Sequence, residues 1–153
     1  MNKQVFERIH SRFTEKGLKF TAKDGIFSFN MVTADVVGKL AMYIEVFDKY
    51  YVSYAVLANN VSPERYALVS EYLHRANFGL LFGNFEIDYS DGEIRFKIIT
   101  DCEDVKVLTN YIIDRSVVLP CAMFERYGEG MIKLMMGIGS PTELILESEN
   151  SKK

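Results

Sequence analysis

The side chains suited to chemistry are few and stand apart. His10 and His74 each follow an apolar residue, Ile9 and Leu73, inside segments that read as helices. Either imidazole could serve as a general base, but no nucleophile or orienting acid lies near it in sequence, and catalysis needs such a constellation. Cys102 and Cys121 are nineteen residues apart, with no CxxC or HxxxH. A structural zinc site asks for four closely spaced ligands, so they read as free thiols in apolar surroundings, with no metal. Glu86/Asp88 and Asp101/Glu103/Asp104 could attract a cation, yet they lack the regular spacing and the glycine of a calcium loop. They read instead as a solvated face and a helix start. No GxxxxGK or GxGxxG occurs, so nucleotide binding has no support.

Composition narrows the field further. The chain has 153 residues, 48% hydrophobic and 25% charged, which suits one globular domain. Eleven Phe and nine Tyr supply too much apolar surface for a disordered chain. No apolar run approaches the roughly 20 residues of a membrane span, and no signal-peptide pattern opens the sequence. A net charge of -3 argues against a nucleic-acid backbone binder. A cytoplasmic protein without membrane or nucleic-acid partners is the expectation.

The elements follow from spacing. Val5, Phe6, Ile9 and Phe13 form one helical stripe after a capping Asn2, and Gly17 stops it. Asp24-Gly25 marks a hairpin in which Ala22 faces Phe27 and Phe20 faces Phe29. Residues 40–47 and 50–58 read as strands apolar on both faces, joined by a loop longer than Asp48-Lys49. Ser62-Pro63-Glu64 opens a helix ending near Gly79. A second hairpin turns at Asp91-Gly92, pairing Ile87 with Phe96 and Glu86 with Lys97. From Asp104 to about Met136 the pattern is helical, with a break or kink at Pro120 and weakness at Gly128 and Gly130. Val105, Leu108, Ile112, Leu119, Met123 and Tyr127 form its predicted stripe. Residues 1–138 make a single domain, and 139–153 a polar, frayed tail in which residues 144–146 could dock. The order α-ββ-ββ-α-ββ-α predicts an α+β fold, an antiparallel sheet with helices on one face.

The stretch ALVSEYLHRANFGLLFGNFEIDYSDGEIRFK (Ala67 to Lys97) followed by a long helix through Phe124-Glu-Arg-Tyr127 resembles the YbjN family, the proposed bacterial sensory transduction regulators. That family is similar in fold to type III secretion chaperones. The resemblance covers about Val5 to Gly137 and implies a small, often dimeric protein-binding domain with no catalytic residues to carry over. Its best-matching positions, Gly83, Phe85, Asp88, Gly92 and Arg95, all have structural readings as turn, core and charge ladder.

Two features invite a binding role. Tyr43, Tyr50, Tyr51 and Tyr54 could line a sheet surface that accepts a peptide, or pack in a core or dimer contact. Met123, Met131, Met135 and Met136 could form an adaptable groove, or fill core gaps. The expected surface combines Tyr43, Glu45, Val52 and Tyr54 of the sheet with Phe6, Ile9 and Phe13 of the first helix nearby, and with Met131 and Met135. The reading is a non-enzymatic, chaperone-like, homodimeric module of the bacterial cytoplasm, without cofactor or metal, holding an unidentified protein partner in an apolar groove. The alternatives are a small-ligand or enzymatic domain with a pocket between sheet and helices, and a purely structural homodimer.

Overall fold

A computed structural model describes residues 1–34 and 36–150. Helix α1 (Lys3–Glu15) begins where the Asn2 side chain accepts the Gln4 and Val5 amides at 3.1 and 3.2 Å. It ends at Gly17, whose φ of 66° is open to glycine at little cost. Strands β1 (Thr21–Lys23) and β2 (Ile26–Val32) then form the hairpin in the expected register, Ala22 opposite Phe27. β1 stops at Thr21, so Leu18 and Phe20 pack on the core from outside the ladder, and Ala22 is exposed.

Strands β3 (Lys39–Val46) and β4 (Tyr50–Leu57) are joined by the three residues Phe47, Asp48 and Lys49, with Phe47 N–H donating to Tyr50 O at 2.9 Å. The loop is one residue longer than Asp48-Lys49. Contacts from outside hold this tight turn: the terminal amine reaches Asp48 at 2.7 Å and Lys49 reaches Glu103 at 2.8 Å.

Helix α2 (Tyr66–Phe78) leads to strands β5 (Asn84–Ile87) and β6 (Ile94–Asp101). Their register differs from the expected one by two residues: Ile87 faces Ile94 and Phe85 faces Phe96. The turn is longer, since Gly92 folds back to donate to Asp88 O at 2.7 Å. Because side chains alternate with period two, a slip of two leaves every residue on its expected face.

Helix α3 (Asn110–Met135) runs unbroken through Pro120. It starts later than expected. Asp101 belongs to β6, Asp104 caps a short turn (Val105–Val107), and the Thr109 hydroxyl caps α3. Its buried seam is Ile113, Val117, Pro120, Phe124, Tyr127, Met131 and Leu134, alternating steps of four and three. Ile112, Leu119 and Met123 of the expected stripe flank that seam half-buried, and Tyr111 and Val118 are exposed.

The region expected to fray forms helix α4 (Pro141–Asn150). Leu144 and Ile145 are buried in the core, and the Ser148 hydroxyl lies 2.8 Å from that of Tyr72. These ten residues therefore belong to the domain, and the boundary expected at residue 138 is corrected.

The strands form one antiparallel sheet in the order β1-β2-β3-β4-β6-β5. The core lies between the helices and one face of this sheet. Phe27, Leu40, Met42, Ile44, Tyr51, Ala55, Phe96 and their neighbours meet Ile9, Phe13, Tyr72, Phe124 and Met131 there. An α+β fold with helices on one sheet face is what the element order predicts.

Candidate partner-binding face of the sheet

Because side chains alternate along a strand, the residues between those core positions project from the other face, which no helix among the described residues covers. The register places them in rows. Ile26, Glu45, Val52 and Ile99 make one, and Ser28, Tyr43, Tyr54, Lys97 and Asn84 the next. A third runs Asn30, Ala41, Val56, Arg95 and Glu86.

Tyr43 and Tyr54 thus stand directly opposite each other on neighbouring strands, as do Glu45 and Val52. Tyr43 is 40% exposed, Tyr54 is half-buried, and Val52 is covered by its neighbours. Ile26 and Ile99 are exposed in the same row as Val52. An aromatic and aliphatic strip therefore crosses β2, β3, β4 and β6.

A charged border closes one side. Arg95 Nε donates to Glu86 Oε2 at 2.8 Å, and Lys97 donates to the other carboxylate oxygen. Burial alone would raise the Glu86 carboxyl. The hydrogen bonds from Lys97, Arg95 and Asn84 outweigh it and hold the group below its ordinary value. The Arg95 guanidinium also lies 4.8 Å from the centre of the Tyr54 ring, so one cation both satisfies Glu86 and orients the tyrosine.

The rest of the expected surface is elsewhere. Ile9, Phe13 and Met131 are buried in the core, and Phe6 stacks on Phe27 at 4.5 Å on the helix side. Met135 is half-buried on α3. The sheet lies between these residues and Tyr43/Tyr54, so they do not extend that face. Tyr51, grouped by sequence with the other tyrosines, is buried among the helices because odd positions of β4 point that way. Sequence reasoning missed Ile26, Val56 and Ile99, whose alternation with Phe27, Ala55 and Ile98 was the available signal. It also missed an exposed apolar segment running from the end of α2 into the loop before β5, with Phe78 at 94% and Leu81 at 91% exposure.

The two histidines lie on separate helices, and among the described residues no group of three or more His, Cys, Asp or Glu is arranged to hold a metal ion. No described helix is long and apolar enough to cross a membrane.

No protein-family model and no curated protein matches the sequence. Among solved structures the chain is similar to YbjN from E. coli, described as a proposed transcription regulator. The TM-score is 0.54 at 14% identity, over 94% of this chain and 90% of that one. The likeness is one of fold.

Proposed function

We propose that this chain is a non-enzymatic regulatory module that binds a protein partner through the uncovered face of its sheet. The carrying observation is the Tyr43–Tyr54 pair, set across two strands with Val52, Ile26 and Ile99 beside it, on the face without helices. An apolar strip with a charged rim suits a protein contact. Tyrosine supplies a large contact area at low entropic cost. The fold-level likeness to a proposed regulator agrees with a role in binding rather than catalysis.

The module works in the bacterial cytoplasm as a homodimer, and in chaperone-like fashion holds a partner segment against Tyr43 and Tyr54, with Val52 packed beneath them. Light scattering and pull-down of the wild type and Tyr54→Asp test this. The expected result is a dimer for both proteins, with partner capture lost in the variant. A hot-spot tyrosine contributes about 2 kcal/mol or more, so the loss should exceed tenfold. A monomeric, folded Tyr54→Asp beside a dimeric wild type would make this face the dimer contact and overturn the partner assignment. A monomeric wild type would overturn the homodimer.

A further inference from the structure

Strand β6 outruns its neighbour. β5 pairs only with Ile94–Lys97, whereas β4 accompanies β6 to Asp101. Antiparallel strands aim the backbone groups of alternate residues at opposite neighbours. Cys102 N–H donates to Lys49 O at 2.8 Å, which continues the β4 register and fixes the phase. Ile98 and Thr100 therefore point their backbone groups at β4. Ile99 and Asp101 point theirs at the side that β5 has left, where they meet no backbone partner among the described residues.

Such an edge is normally short, capped by proline, bulged or covered. This one is short, but it carries no proline and no strand among the described residues pairs with it on that side. It forms one wall of a cleft of about 500 Å³ whose other walls are Ile112, Arg115 and Leu119 of α3 and Leu81 and Phe82 of the apolar loop. The Arg115 guanidinium lies 4.6 Å from the Phe82 ring centre and 5.7 Å from that of Tyr111. Among the described residues no carboxylate reaches it to form an ion pair. Lys97 at one end is already paired with Glu86, and Asp101 at the other accepts from the Glu103 amide.

We propose that this free edge captures an extended acidic-apolar segment of a partner protein as an added seventh strand beside β6. Two N–H and two C=O groups specify an extended backbone. The apolar walls take alternate side chains, and Arg115 takes a carboxylate from the same side of the segment. Four residues of edge, Ile98 to Asp101, correspond to about 13 Å of strand at about 3.3 Å per residue. The site shares Ile99 with the Tyr43/Tyr54 face but neither tyrosine, so Tyr54→Asp separates the two assignments.

The test pans a random heptapeptide library, displayed on phage, against the wild-type protein. Enriched sequences should carry their apolar and acidic residues at every second position, on one side of the extended segment. A synthetic copy of the best one, followed by fluorescence anisotropy, should bind at least tenfold more weakly after N-methylation of alternate backbone amides, and likewise to Arg115→Glu. Amide exchange at Ile99 and Asp101 should slow on binding. The proposal is overturned if nothing is enriched above the level seen with Ile99→Pro, or if the N-methylated peptide binds equally well. The N-methylation result uses unmodified protein, so it stands even where Ile99→Pro misfolds. Tyr54→Asp should bind the peptide normally, which separates failure here from failure of the sheet-face assignment.

Discussion

Gly130 of α3 lies directly against the Tyr72 hydroxyl of α2: a Cβ on the glycine would stand 2.3 Å from that oxygen. The hydroxyl donates to Tyr127 O at 2.9 Å and lies 2.8 Å from Ser148 Oγ, so a single buried group ties α2 to α3 and α4. Burial pushes its pKa up to about 12. Glycine inside a helix costs about 1 kcal/mol relative to alanine. Here that cost allows a close approach that an alanine would block. Gly128 does the same toward Val37, whose Cγ2 a Cβ would meet at 2.1 Å.

Gly130→Ala should therefore destabilise the fold by about 1–3 kcal/mol despite its better helix propensity, since overpacking and a lost buried hydrogen bond both oppose it. A urea titration reads this as a lower midpoint at unchanged slope. Adding Tyr72→Phe removes the clashing oxygen and should recover part of the loss. A stabilised Gly130→Ala would contradict the contact.

Arg12 of α1 and Asp114 of α3 join the first helix to the last long one, with Arg12 Nε donating to Asp114 Oδ1 at 2.8 Å. The hydrogen bond from Arg12 is the main cause holding the Asp114 carboxyl below its ordinary value. A depressed carboxyl contributes stability that is full above the unfolded pKa, about 3.9, and is lost as pH falls through the folded value. Asp114→Asn should lower the urea midpoint at pH 6, and the gap from wild type should shrink steadily below about pH 4. An undiminished gap at pH 2.5 would mean that the charge is not what matters.

Helix α4 makes a prediction where the sequence suggests a loose tail. Leu144 is 3% exposed. Leu144→Ala should cost about 2–5 kcal/mol, the usual range for a buried leucine. Leu146→Ala, at an exposed position of the same helix, should change stability by less than about 0.5 kcal/mol. Equal effects in thermal or urea unfolding would show that α4 does not dock as described.

The two thiols should be slow. Burial pushes the Cys121 thiol up to about 11 and raises that of Cys102 as well. Since the thiolate is the reactive species, Cys121 should react with a disulfide reagent at pH 8 on the order of 100-fold more slowly than a free cysteine. Both should react at once in denaturant. A rapidly labelled thiol in the folded protein would contradict this burial.

Much of the fold was legible because local patterns and the final packing agree. Asn2, the Asp24-Gly25 turn and the end of α2 near Gly79 all sit as their spacing predicts, and the order of elements already implied one antiparallel sheet with helices on one face. The opposition of Tyr43 to Tyr54 was half legible. Alternation puts each on one face of its strand, but only pairing decides that the two faces coincide and that no helix covers them.

What remained undetermined depends on neighbours distant in sequence. Phe6, Ile9 and Phe13 show one apolar stripe from sequence alone, and a stripe does not say which side of a sheet it will cover. Gly128 and Gly130 read as helix weakness until Val37 and Tyr72 are seen against them. Leu144 and Ile145 form too short an apolar run to predict a docked helix, because the surface that buries them belongs to α2 and α3. Local spacing thus determined which residues turn inward along each element. The tertiary structure decided what they meet, and so which faces of the sheet and which edge of β6 stay open, because burial is a property of contacts between elements and not of any one of them.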